Sequence, residues 1–255
     1  MKITFLGTGA AEGIPAISCD CGHCTRAREE NGKILRERNA VLFELPGYKL
    51  LIDTPPDIRD LINQYDITDL DGIFATNARY DHIGGIREFE YWQGNLDFLA
   101  EESLFHIVKR EYWTDRLEGK MFHLPYYPGA PLYFSDFSLL PFAVRRSVPI
   151  FGVSIREKGG KSVVYTADTP NHLTNYARRL MMGADLLIVN TPTFEPPKED
   201  HITVTEAVEL KGIVNAKEMI LTYFSHRNRP HDVLESFARQ LMGVTIAYDG
   251  MHVEI

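Results

Sequence analysis

Cysteine is scarce in this chain: all three lie in Cys19-Asp20-Cys21-Gly22-His23-Cys24. No disulfide framework can brace the fold, and an odd, tight cluster in a reducing compartment suits a metal better than disulfides. Long apolar runs are also lacking. Nowhere do about eighteen apolar residues occur together, and Met1-Lys2-Ile3-Thr4-Phe5-Leu6-Gly7 is too short an apolar opening for a signal peptide, so a soluble, cytoplasmic protein without membrane contact is expected. Basic residues are in deficit, 27 Lys and Arg against 35 Asp and Glu, giving a net charge of −8. That balance argues against a broad footprint on nucleic acid and leaves room only for a small local anion pocket. No linker, repeat or low-complexity stretch interrupts the 255 residues, and a single domain over 1–255 is expected. Gly7-Thr8-Gly9 lacks the Gly-Lys-Ser/Thr of a phosphate-binding loop, so these glycines read as a strand-ending turn.

The patterning that is present is β-rich at first. Lys2 to Leu6 forms a short strand, and Ala40 to Leu45 and Lys49 to Ile52 form a hairpin turned at Pro46-Gly47. A helix is expected over Pro56 to Tyr65, then a buried strand, Gly72 to Thr76, that runs into a polar loop at Asn77 to His82. Polar groups just past a buried strand are a common site geometry. Residues 89–134 are aromatic and proline-rich with little periodicity, which predicts an irregular lid or cover. A second β-rich half follows, with strands at Leu139 to Val144, Phe151 to Ile155 and Ser162 to Thr166. Beyond it come helices near Leu173 to Met182, after the capping box Thr203-Val204-Thr205-Glu206, and over Asp232 to Leu241. Strands are expected at Leu186 to Val189 and Met219 to Thr222, with a final strand pair at Thr245 to Tyr248 and His252 to Ile255. Two β-rich halves with helices between and after them fit two sheets packed face to face under outer helices.

Cys19, Cys21 and Cys24 present three soft sulfur ligands within six residues, as a tetrahedral zinc requires if a fourth ligand arrives from elsewhere. His23 is too close to its neighbours to complete the set comfortably, and the local sequence does not choose the fourth ligand.

Longer motifs then carry a resemblance. Gly7-Thr8-Gly9-Ala10-Ala11-Glu12-Gly13-Ile14-Pro15, the cysteine cluster, Leu51-Ile52-Asp53-Thr54-Pro55-Pro56-Asp57, Asp81-His82-Ile83-Gly84-Gly85, Tyr165-Thr166-Ala167-Asp168-Thr169, Leu221-Thr222-Tyr223-Phe224-Ser225-His226 and Tyr248-Asp249-Gly250 follow in order. The set resembles the phosphoribosyl cyclic-phosphate phosphodiesterases of the metallo-β-lactamase superfamily. The resemblance implies an α/β fold, the four-layer αβ/βα sandwich of two mixed β-sheets flanked by helices. It also implies that His226 completes a structural zinc site with Cys19, Cys21 and Cys24, one zinc per chain. Such a clip between Cys24 and His226 closes a 202-residue segment and should stabilise the folded state.

The catalytic centre that the resemblance implies is altered. The superfamily loop His-x-His-x-Asp-His reads here Asn77-Ala78-Arg79-Tyr80-Asp81-His82, and the aligned position of a third histidine carries Arg146, beside Arg145. Asp81, His82 and Asp168 of the second metal site persist, but its later histidine is Tyr223. Guanidinium stays protonated and cannot ligate a metal. At most one further ion, zinc or manganese, is then expected, on Asp81, His82 and Asp168.

Two readings follow. In the first the chain is a phosphodiesterase-like, metal-dependent hydrolase in which Asp81, His82, Asp168 and Tyr223 carry the chemistry, while Arg79, Arg146, Asn77 and His201 face the substrate. In the second it is a pseudo-hydrolase that holds a small phosphate- or carboxylate-bearing molecule through Arg79 and Arg146. A homodimer is left open by the sequence. His201 precedes the helix beginning at Thr203, where capping or packing competes with substrate contact. His106, His123, His172, His231 and His252 have no motif context and read as ordinary residues.

Overall fold

A computed structural model gives the fold for residues 1–144, 149–195 and 201–255. Arg145 and Arg146 lie outside the described residues. In chain order the elements begin β1 (Lys2–Gly7), α1 (Gly22–Glu30), β2 (Ala40–Leu45), β3 (Tyr48–Ile52), α2 (Ile58–Gln64), β4 (Gly72–Phe74) and α3 (Tyr80–Ile83). Next come β5 (Leu96–Ala100), α4 (Glu102–Glu111), α5 (Asp115–Glu118), β6 (Met121–Pro125), β7 (Leu132–Tyr133) and β8 (Phe137–Val144). The chain continues through β9 (Ile150–Glu157), β10 (Ser162–Tyr165), α6 (Asn175–Met181), β11 (Leu186–Asn190), α7 (Val204–Val214), β12 (Glu218–Thr222), α8 (His231–Ala238), β13 (Val244–Ile246) and β14 (His252–Glu254).

The strands form two seven-stranded sheets, ordered β14-β1-β2-β3-β4-β5-β6 and β13-β12-β11-β10-β9-β8-β7. Each is mixed, antiparallel through its β-rich half (β14-β1-β2-β3 and β7-β8-β9-β10) and parallel beyond it. A single apolar cluster spans both sheets, from Ile3, Phe5 and Phe74 to Val163, Leu187 and Leu221. This is the αβ/βα sandwich that the sequence led us to expect. Parallel strands covered on both faces should be apolar throughout rather than alternating, and every residue of β10 and β11 is buried.

Local chemistry sets the boundaries. The hairpin β2-β3 turns at Pro46-Gly47, where Gly47 takes φ +69°. Gly7, the last residue of β1, has no room for a side chain, because a Cβ there would collide with the Arg38 carbonyl. The capping box at α7 forms as expected, with Thr203 accepting from the Glu206 amide and Glu206 accepting from the Thr203 amide.

Two expectations change. Residues 89–134 are not an irregular cover: they hold β5, α4, α5, β6 and β7, and β5 and β6 extend the first sheet in parallel. The buried side chains of Leu96, Phe98, Leu99 and Ala100 make β5 an interior strand, too short to show a period among its aromatic neighbours. The last two strands do not pair. β13 edges the second sheet, whereas β14 crosses to pair with β1 in the first. Helix α1, which begins inside the cysteine cluster, was not anticipated.

Candidate functional site

Two clusters of side chains lie on either side of one cavity, the first of them just past the C-terminal ends of strands. The first is built on three backbone kinks. Asp53, Ala167 and Tyr223 each sit just past a strand's C-terminal end with φ of 63°, 54° and 62°. Side chains rarely adopt this left-handed conformation, at a cost of roughly 1–3 kcal/mol each, and it persists where the surroundings enforce it, often at functional sites. It aims Asp53, Asp168 and Tyr223 at the short helix carrying Asp81 and His82.

His82 is fully buried and stands among three carboxylates. Its Nδ1 lies 2.7 Å from Asp53 Oδ2, and its Nε2 lies 3.3 Å from both Asp81 Oδ2 and Asp168 Oδ2. Burial opposes charging the ring, but Asp168, Asp81 and Asp53 together outweigh it and hold His82 well above its ordinary value. Asp53 is itself fixed by the Thr76 amide and hydroxyl, which donate at 2.7 to 3.0 Å. His82 Nε2 is buried without a hydrogen-bond partner in its preferred geometry.

Arg79 enters this cluster from the polar loop. Nη1 donates to Asp168 Oδ2 at 3.0 Å, Nε lies 3.3 Å from Asp81 Oδ1, and Nη2 reaches the Tyr223 hydroxyl at 3.4 Å. The guanidinium therefore bridges the two carboxylates that would hold a metal. For both Asp81 and Asp168 burial alone would favour the neutral acid. The charge of His82 reverses this at each, aided by Arg79 and the Tyr223 hydroxyl at Asp81 and by His201 at Asp168, and both stay well below the ordinary carboxylate range. Burial pushes the Tyr223 phenol well up, so it keeps its proton and donates it to Asp81 Oδ2 at 2.5 Å.

Asn77 is buried and turns inward as a loop brace: its Oδ1 accepts from the Arg79 amide at 3.0 Å and its Nδ2 donates to Thr76 Oγ1. His201 Nε2 lies 3.8 Å from Asp168 Oδ2, with its ring stacked on Tyr223. The α7 cap is Thr203, so His201 is not a capping residue. Asp53 and Asn190, whose Nδ2 donates to Asp168 Oδ1 at 3.2 Å, were missed as site residues. An acid directly after the buried run Leu50-Leu51-Ile52 was the available signal for Asp53.

The second cluster is the cysteine site. His226 Nδ1 lies 3.3 Å from Cys19 Sγ and 3.6 Å from the sulfurs of Cys21 and Cys24. All four ligand atoms lie within 4.8 Å of one another, close enough to hold a metal ion. A tetrahedral zinc with ordinary bond lengths would set sulfur and nitrogen about 3.5 Å apart, so this donor set fits that ion without rearrangement. The Cys21 thiol is pulled down to about 6 by the Cys24 amide and by His226, whereas burial pushes Cys24 up to about 11. A cation among the sulfurs would favour all three thiolates together. The second nitrogen of His226, Nε2, faces Glu12 Oε1 at 3.7 Å, and Glu12 Oε1 accepts from Ser225 Oγ at 2.5 Å. A carboxylate behind a ligand histidine fixes its tautomer and orientation.

Between the clusters lies a cavity of about 270 Å³ whose wall includes Glu12, Arg79, His201, Tyr223, His226 and Arg227.

A profile of the family described as "Beta-lactamase superfamily domain" matches residues 48–224, more than half of the chain. The chain belongs to the beta-lactamase superfamily. Among curated relatives of this superfamily member is an octanoyltransferase of Porphyromonas gingivalis, 24% identical across 91% of the chain but only 47% of the relative. The chain thus spans about half the length of that protein. Coenzyme PQQ synthesis protein B of a Methylobacterium species is 23% identical, with 98% and 99% of the two chains covered. Among solved structures, a diphosphatase of the PhnP family superposes with a TM-score of 0.86 at 24% identity, covering 100% of this chain and 97% of the other. Zinc-bound PqqB of Methylobacterium extorquens gives 0.88 at 19% identity with both chains fully covered. At these identities the structural likenesses establish the fold. Among the described residues of this superfamily member, no helix is long and apolar enough to cross a membrane.

Proposed function

We propose that this superfamily member is a pseudo-hydrolase, a protein that keeps a structural zinc on Cys19, Cys21, Cys24 and His226 and uses the cavity beside it to bind a small anionic molecule. The observation that carries the reading is Arg79, whose guanidinium lies between Asp81 and Asp168 at 3.0 to 3.4 Å. A fixed cation there satisfies the two buried carboxylates as a metal would, and occupies the space between them. Arg79, His201 and Arg227 stand on one wall of the cavity, and N–H groups of these kinds suit an oxyanion. The resemblance adds Arg146 as a further contact.

Phosphate or sulfate should raise the melting temperature, by an amount that grows with concentration. A hundredfold excess over the dissociation constant corresponds to about 2.7 kcal/mol, or several degrees for a chain of this size. Arg146→Ala should abolish the increase while leaving the zinc content unchanged. An unshifted melting temperature across a screen of phosphate, sulfate and nucleotides would overturn the binding reading.

A second reading has its own support. His82 Nε2 lacks a hydrogen bond and lies 3.3 Å from both carboxylates, which suits one weakly held ion on Asp81, His82 and Asp168 if Arg79 swings aside. Such an ion would supply a polarised ester oxygen or an activated water. Metal analysis separates the two: one ion per chain and no hydrolysis of model phosphodiesters supports binding alone, whereas two ions with hydrolysis restores the enzyme.

A further inference from the structure

The cavity has one feature that a pocket for a simple anion would not have. Glu12 stands on the same wall as Arg79, His201 and Arg227, and its side chain is about one-third exposed. A carboxylate beside a bound phosphate or carboxylate repels it, and the repulsion is strong where water is partly excluded. Glu12 is held in place: Oε1 accepts from Ser225 Oγ at 2.5 Å and lies 3.7 Å from His226 Nε2. When Nδ1 of His226 serves the metal, Nε2 must carry the ring hydrogen and directs it at this carboxylate. Neither contact removes the negative charge. Among the described residues the second oxygen, Oε2, has no partner, so an acceptor with full charge remains on the cavity wall.

We infer that the ligand of this cavity is a small zwitterion, a molecule carrying an oxyanion for Arg79 and its neighbours and an ammonium group for Glu12. The inference rests on the anion-binding reading of the same cavity and adds a second recognition point to it. Arginine and glutamate on one wall form a pair of opposite poles, and a ligand with matching poles turns the repulsion from Glu12 into a charge-assisted hydrogen bond. The volume, about 270 Å³, lies just below the range for drug-sized ligands and suits a metabolite of few atoms. Glu12 thereby has two roles. It orients a metal-ligating histidine and it reads the ligand's cation, so the zinc clip and the cavity share one residue. A role confined to the zinc site would leave ligand choice indifferent to Glu12.

Matched probes separate these alternatives. Binding of O-phosphoethanolamine is compared with that of ethyl phosphate, and β-alanine with propionate, by calorimetry on the zinc-loaded full chain. Each pair differs in the ammonium group, and the two pairs distinguish a phosphate from a carboxylate as the oxyanion. In the intact protein the ammonium-bearing member of at least one pair should bind about tenfold or more tighter. Glu12→Gln, which keeps an acceptor for Ser225 and His226 but loses the charge, should erase that preference and leave one zinc per chain. If both members of each pair bind equally to the intact protein, the zwitterion inference falls while the anion reading stands. If none of the four probes nor inorganic phosphate binds, the anion reading falls and takes this one with it. If Glu12→Gln loses its zinc and the intact protein shows no ammonium preference, Glu12 is only a positioning residue for His226.

Discussion

Arg79→Ala should cost more than the loss of a surface ion pair. Exposed pairs contribute about 0–1 kcal/mol, but Asp168 is fully buried and Asp81 nearly so, and removing their cation strands charge in a poorly solvated site. A fully buried pair would lose about 3–5 kcal/mol. Because Arg79 is 35% exposed, water can replace part of its contribution, and about 2 kcal/mol is expected from urea denaturation. A loss below about 0.5 kcal/mol would mean that His82 alone balances the carboxylates. The resemblance sets Asn77, Arg79 and Tyr223 at positions where it implies metal-ligand histidines, because each stands inside a motif of fixed spacing. That Arg79 would set its charge beside Asp81 and Asp168 followed from the same spacing, whereas the turn of Asn77 to brace the loop did not, since which way a side chain points depends on the local backbone.

At the scale of elements, the cysteine cluster ties α1 to the loop that follows β12. α1 is short and only partly buried, with His23, Cys24 and Ala27 turned inward, and isolated helices of this length are marginal in water. Its order should therefore depend on the metal. Cys21→Ser is expected to release one zinc per chain, lower the melting temperature by several degrees, and open the amides of Gly22–Glu30 to hydrogen exchange while β10 and β11 stay protected. Full zinc content and unchanged exchange in the variant would show that the remaining ligands suffice. Thiolate spacing pointed to the cysteine cluster as a candidate metal site, but not to the helix, because Cys-x-x-Cys spacing also suits a tight turn. β5 and β6 were missed for a related reason: each has only five residues, and Pro125 at the end of β6 reads as a loop signal although proline is tolerated on an edge strand.

Over the whole molecule, both sheets could be anticipated from the alternation of β-rich and helical stretches, and the approach of His226 to the cysteine cluster from the resemblance, whereas contacts between distant residues outside any motif could not. Arg36 is the clearest of these. It is buried, yet its Nη1 donates to Thr8 Oγ1 at 2.5 Å and to the Ala247 carbonyl at 2.8 Å, and its Nη2 lies 3.0 Å from His231 Nδ1. It thus pins the end of β1, the start of α8 and the end of β13 together. Burial lowers Arg36 to about 10, so it remains charged at neutral pH. His231 must accept from it through a neutral ring, and burial, with the charge of Arg36, pulls His231 down to about 4. A histidine whose folded value is depressed stabilises the fold above its unfolded value of 6.5, and that contribution is lost as pH falls from there towards 4, because the unfolded chain takes up the proton first. The shift corresponds to about 2 kcal/mol once screening by solvent is allowed for. Burial pushes Asp249 up to about 6, an effect of opposite sign in the same window, so only a comparison of two proteins isolates the histidine. His231→Gln keeps an acceptor for Arg36 and cannot titrate. Between pH 7.5 and pH 4.5 the intact protein should lose about 2 kcal/mol more stability than the variant, measured by chemical denaturation at each pH. Parallel losses in the two proteins would show that Arg36 does not depend on His231 for its partner.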